Sequence, residues 1–204
     1  MSMDELAQEL RREKFEMTRS MDEATRLLDA GGITALQRRM LQNYRRHSRA
    51  ENSGHWERIF DEGMMCDEPH YVLRFKNGAL DIRGTAALKQ FYANLGSPVI
   101  YQYRQRIDLS ERSFTSYSIS INYVTGEELS RLGEPVPNRD GWYARAKVAL
   151  TYWPYDDQGR LIGEFGGELG VPVNIEMPRT FFITPQEARD KLAPLIGEVP
   201  APLA

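Results

Sequence analysis

The chain has 204 residues, 41% of them hydrophobic and 27% charged, with a formal charge of −3. That is enough apolar material for one globular domain with additions at its ends. The acidic balance argues against a dedicated nucleic-acid binder, which would normally carry a basic surplus, and no apolar run approaches the roughly 20 residues that span a bilayer.

Neither nucleic acid nor membrane is therefore expected as a partner. Cys66 is the single cysteine, so no internal disulfide can form and a reducing, cytoplasmic setting is expected. With three histidines and one cysteine, a thiolate zinc site is excluded. A three-histidine site would need His47, His55 and His70 together, so no metal is expected. Arginine pairs at Arg11-Arg12, Arg38-Arg39 and Arg45-Arg46 read as solvated helix faces.

In chain order, residues 4 to 30 read as one helical arm. Leu6, Leu10, Met17, Met21, Ala24 and Leu28 share a thin, Met-rich face, which could dock on its own domain or on a second subunit. Gly31-Gly32 ends it. A second helix is predicted from Ile33 to Ala50, with Ile33, Leu36, Met40, Tyr44 and His47 on one face. A short helix follows at Trp56 to Phe60, then a strand from Met64 to Phe75 and a turn at Asn77-Gly78.

Thr85 to Leu95 is a helix with Leu88, Phe91, Tyr92 and Leu95 on one side and Gly96 at its stop. The period then changes to two. Val99 to Leu109, Ser113 to Val124 and Trp142 to Trp153 read as strands. Asp156 to Gly159 is a hairpin turn into a fourth, Arg160 to Leu169. Thr125 to Asp140 reads as a polar connection. A Pro-rich tail follows, with one short helix near Pro185. The fold class is α+β: a curved antiparallel sheet wrapped over N-terminal helices, a cone-shaped α+β barrel. The expected parts are an arm at 1–32, a domain at 33–170 and an extension at 171–204.

A helix with a tyrosine, then a phenylalanine, a strand ending in acid-Pro, "GTAALKQFY", and a meander turning at "YDDQGRL" together resemble the nuclear-transport-factor-2-like superfamily over residues 33 to 170. That group includes ketosteroid isomerases, SnoaL-like cyclases, scytalone dehydratases and cofactor-free lyases. The resemblance to the isomerases implies a general base at Glu68, directly before Pro69, and an oxyanion-stabilising phenol at Tyr44, sixteen positions before Phe60. The isomerases' second acid falls on Thr151, so steroid isomerisation is not expected. The loop from Pro69 to Gly84 is longer, and the later strands lack the histidines of scytalone dehydratases.

In a strand, Met64, Cys66, Glu68 and His70 would share one face. If that face lines a pocket, desolvation would raise the Glu68 pKa and make it a usable base, with His70 as its relay. In "GEFGGELG", Glu164, Gly166 and Glu168 share a face. The match turns that face inward, so Glu168 is a second catalytic candidate and Glu164 a substrate contact. The glycines leave room for a ligand or a neighbouring chain. Tyr101, Tyr103, Tyr123 and Trp153 are further candidate substrate contacts. No phosphate loop, flavin motif or nicotinamide motif is present, so no cofactor is expected.

The expected function is a cofactor-independent lyase, or an isomerase, acting on a small apolar, aromatic molecule. A lyase of this kind would eliminate water or a small aldehyde. Two alternatives stand beside it: an enzyme like limonene-epoxide hydrolase, and the non-catalytic small subunit of an aromatic-ring dioxygenase. A homo-oligomer, most simply a dimer, is expected from surplus apolar surface.

Overall fold

A computed structural model of the chain describes residues 3–75, 78–96 and 98–203. Asn77, half of the expected turn after the first strand, lies outside them. The arm is not one helix. It is α1 (Met3–Arg12), a 3₁₀ turn (Met17–Met21) and α2 (Asp22–Ala30). The break falls where Phe15 turns inward, its ring 5.1 Å from Tyr101 and 5.4 Å from Tyr103. Leu6 and Leu10 pack into the same chain's core, so the arm docks on its own domain.

The helix α3 (Ala35–Asn52) is started by a capping box. Thr34 Oγ1 accepts from Gln37 N–H at 3.1 Å, and the Gln37 side chain accepts from Thr34 N–H at 2.9 Å. The remaining elements are β1 (Met65–Phe75), β2 (Gly78–Arg83), α4 (Thr85–Leu95), β3 (Ile100–Leu109), β4 (Ser113–Thr125), α5 (Gly126–Arg131), β5 (Trp142–Pro154), β6 (Leu161–Met177) and α6 (Pro185–Leu192).

The strand order is β2-β1-β6-β5-β4-β3. The sheet is open, with β2 and β3 at its edges, rather than a closed barrel. It is mixed rather than purely antiparallel, because β1 pairs parallel to β6. Register breaks in β1, in β3 and between β5 and β6 curve it. Two elements escaped the sequence reading: β2, which has no buried residue to mark it, and α5, whose own capping box joins Thr125 and Glu128.

The last strand passes straight through residue 170 and keeps pairing with β5 to Met177. Pro172 is tolerated because it falls in the break between the Leu169 and Val173 pairings. The glycines of "GEFGGELG" answer to neighbouring strands. A Cβ at Gly163 would sit 1.8 Å from the His70 carbonyl oxygen, and one at Gly166 would sit 2.2 Å from that of Leu150.

The β4–β5 register is unbroken, so Phe114 and Ile119 point to opposite faces. On the inner face Phe114, Trp153 and Tyr71 pack under α2, α3 and α4. On the outer face Ile119, Ile121 and Tyr123 are covered by α1 and α6, while Tyr117, Leu150, Tyr152 and Leu169 stay exposed. Among the described residues no helix is long and apolar enough to cross a membrane.

Candidate active site

The inner face of α3 carries Tyr44, His47 and Glu51 at i, i+3 and i+7, one stripe of the helix. Facing it, β6 brings Glu164, β1 brings Tyr71 opposite Glu164 in register, and α4 brings Tyr92. His47 is 1% exposed. Its Nε2 lies 3.0 Å from Tyr92 Oη, 3.4 Å from Glu164 Oε1 and 3.9 Å from Glu51 Oε2. Tyr92 Oη is in turn 3.5 Å from Tyr71 Oη.

Aromatic rings enclose this group. Trp153 meets His47 edge-on at 5.9 Å and Tyr44 at 4.8 Å. Trp153 Nε1 donates to Ser116 Oγ at 2.9 Å, and Gln105 Nε2 donates to Tyr44 Oη at 2.6 Å.

Burial sets the electrostatics. Desolvation pushes Glu164 well above the ordinary carboxylate range, Glu51 adds to the rise, and a Tyr71 hydrogen bond offsets part of it. Desolvation also pushes Glu51 up to about 7 and His47 down to about 3. The phenols of Tyr71, Tyr92 and Tyr44 are pushed upward by the same cause and remain donors. The low-dielectric interior thus disfavours the charged form of the carboxyl and of the imidazole alike.

A buried polar atom normally has a partner. Among the described residues His47 Nδ1, Gln105 Oε1 and Tyr155 Oη have none. These are atoms at which a bound molecule's polar groups could be met. Among the described residues no group of three His, Cys, Asp or Glu side chains is arranged to hold a metal ion.

The structure brings three of the sequence candidates into this cluster: Tyr44, Trp153 and Glu164. It places the others elsewhere. Glu68 and His70 do not face inward. Between the Met65–Leu161 and His70–Gly163 pairings, β1 spends five residues where β6 spends two, and the surplus carries Asp67 and Glu68 outward. Glu68 is exposed and lies against Gly84. The inward residue becomes Tyr71. His70 Nε2 contacts the exposed Asp81 at 2.9 Å, and its ring meets Phe165 on the outer face.

Glu168 shares Glu164's face but belongs to a separate polar network. It lies 2.6 Å from Lys147 Nζ and 3.5 Å from Arg145, which also pairs with Glu134 at 2.9 Å. Tyr101 and Tyr103 lie under the arm beside Phe15, with the Tyr103 hydroxyl bonded to Glu9. Tyr123 meets Phe182 edge-on at 5.7 Å on the outer face.

Sequence reasoning missed Glu51, Tyr71 and Gln105, and gave His47 no role in the site. The signal for two of them was legible: His47 and Glu51 extend the Tyr44 stripe by one turn each. Substituting Glu68 with Gln is expected to leave turnover at the wild-type level, read as kcat beside a Glu164 variant. A large loss in Glu68→Gln would return the base to β1.

No family model matches the sequence, and no curated protein matches it. Solved structures with a similar chain path include three of differing description. A phenazine biosynthesis-related protein (phzb2) from Pseudomonas aeruginosa has 11% identity and a TM-score of 0.43, over 66% of this chain and 83% of that one. The hexachlorocyclohexane dehydrochlorinase LinA-type3 from Novosphingobium barchaimii LL02 has 11% identity and a TM-score of 0.42, over 65% and 85%. The S. rosetta CaMKII hub has 12% identity and a TM-score of 0.45, over 64% and 95%. These likenesses concern the chain path and leave the chemistry to the residues themselves.

Proposed function

For a chain with this nuclear-transport-factor-2-like order of helices and strands, we propose a cofactor-independent proton-transfer enzyme. It is a lyase acting on a small apolar, aromatic molecule, with Glu164 and His47 as its acid–base pair. The observation that carries this reading is the buried contact of 3.4 Å between Glu164 Oε1 and His47 Nε2, with two phenols beside it.

In an elimination, the imidazole accepts a proton from a substrate carbon. The C–H electron pair becomes the new C=C bond as the C–O bond breaks, and the departing oxygen takes the Glu164 proton to leave as water. In loss of an aldehyde, the proton comes from a hydroxyl. The C–C bond breaks, and the carbanion is quenched by Glu164. Either course leaves an imidazolium beside a carboxylate, and one internal proton transfer returns the pair to neutrality. Tyr92 and Tyr71 donate to the charge that develops, in the manner of an oxyanion hole, and Tyr44, held by Gln105, is a further donor.

The test is a screen of small aromatic alcohols, hydroxy-aldehydes and enolisable ketones with protein dialysed against chelator. Turnover that persists after dialysis and is lost in Glu164→Gln supports the reading. Turnover restored by one divalent metal contradicts it.

The exposed outer face supports a homodimer as the assembly. Tyr117, Leu150, Tyr152 and Leu169 stand on adjacent strands β4, β5 and β6, an apolar patch of the kind that marks an interface. Leu150→Asp is expected to convert the dimer to a monomer in light scattering while leaving the helical signal intact; a wild-type monomer at micromolar concentration would contradict it. The same face would serve the non-catalytic small-subunit reading, which co-purification with a large iron–sulfur subunit would support.

A further inference from the structure

The face of α3 turned away from His47 and Glu51 carries Arg38, Arg39, Arg45, Arg46 and Arg49, and Arg58 follows in the separate 3₁₀ helix Trp56–Phe60. Arg46 pairs with Asp61, and Arg58 lies 3.6 Å from the same carboxylate. Among the described residues the other four have no ion pair. Arg39 donates to the carbonyls of Gln158, Gly63, Pro200 and Ala201. Arg49 donates to Leu195 O at 2.7 Å, Arg38 to Leu28 O at 3.1 Å and Arg45 to Thr25 Oγ1 at 3.3 Å.

A neutral acceptor satisfies a donor but leaves its charge in place. Burial, and Arg45 beside it, hold the Arg49 guanidinium down to about 10, as expected where positive charge is uncompensated. Between this stripe and the C-terminal segment 195–203 runs a groove of about 450 Å³, with Arg38, Arg45 and Arg49 in its lining and, among the described residues, Glu198 the one acidic side chain there.

We propose that the groove binds a small phosphate-type polyanion, gripped by Arg45 and Arg49. Residues four apart on a helix stand about 6 Å apart at Cβ, so two planar guanidinium forks can converge on one phosphate group. Arg38 lies two turns away, about 10 Å along the axis, and adds its field and a contact for a longer ligand. The C-terminal segment walls one side, which favours a small molecule over a nucleic acid or a membrane surface. The chain's overall charge of −3 points the same way.

The test titrates inorganic pyrophosphate into the full-length protein by calorimetry at low and at moderate salt. Wild-type protein is expected to bind, more weakly as salt rises. The Arg45→Gln/Arg49→Gln variant is expected to lose at least tenfold in affinity. Arg19→Gln, on the arm outside the groove, is expected to match wild type. Arg38→Gln changes an exposed side chain, and a severalfold weakening there supports the same conclusion if the double variant fails to fold. The proposal is overturned if wild type does not bind at millimolar pyrophosphate, or if affinity is unchanged in the groove variants. It is also overturned if the protein binds single-stranded RNA or phosphatidylserine vesicles and pyrophosphate fails to compete.

Discussion

Glu164→Gln is expected to lower turnover roughly a hundredfold to ten-thousandfold, the usual worth of a positioned acid or base. The amide keeps nearly the same volume and is cheaper to bury than an ionised carboxylate, so the fold should survive. The pH–rate profile should change in a specific way. In the proposed mechanism the active form has Glu164 protonated and His47 neutral. The alkaline limb therefore reports Glu164, raised above its ordinary value by burial, and the acidic limb reports His47, lowered to about 3. In Glu164→Gln the residual activity should lose the alkaline limb.

Stability gives a readout that needs no substrate. Between the ordinary carboxylate range and Glu164's raised value, the folded state binds a proton that the unfolded chain has released, so stability falls as pH rises there. Glu51 adds the same slope between 4.5 and about 7. His47 acts oppositely: its share is complete above 6.5 and is lost as pH falls toward 3. From pH 6.5 up to the ordinary phenol value of 10.0, the carboxylates alone contribute from this cluster. Wild-type Tm should therefore decline as pH rises from there, and Glu164→Gln should decline less. Parallel curves for the two proteins would count against a buried neutral Glu164.

His47→Gln is expected to cost as much turnover as Glu164→Gln, because each partner resets the other. The double variant should fall no further than the worse single one, as for residues that act as a unit. Multiplied losses would mean that the two residues act independently. The acid limit should also vanish in His47→Gln, which a histidine serving only as packing for Trp153 would not cause. Binding of substrate, read as KM, should change less than kcat.

The elements were largely legible in the sequence because their periods are strong. Thr85 to Leu95 and the Ser113, Trp142 and Leu161 strands fall where alternation and capping residues place them. What period could not supply was the count of residues in a register break. Three surplus residues in β1 turned Glu68 and His70 outward and Tyr71 inward. A second break in β3, where Arg104 takes φ 49°, put Tyr103 and Ile107 on opposite faces. Alternation counted across such a point inverts.

The inward face of β6 has no such break between Glu164 and Glu168, and there the expected shared face holds. Their different surroundings came from distant segments. Glu168 meets Lys147 and Arg145, whereas Glu164 meets an imidazole and a phenol that α3 and β1 bring from more than 90 positions away. No local pattern encodes that meeting.

The most direct test of the acid–base pair is the protonation state of Glu164. Carbon-13 NMR of glutamate-labelled protein, with the Glu164 carboxyl assigned by its disappearance in Glu164→Gln, follows that one group through a pH titration. The account predicts a signal that remains in the protonated position at pH 7, moves only on the alkaline side, and shifts when His47 is replaced. A Glu164 carboxyl that titrates in the ordinary carboxylate range, and is ionised at pH 7 with or without His47, would contradict it.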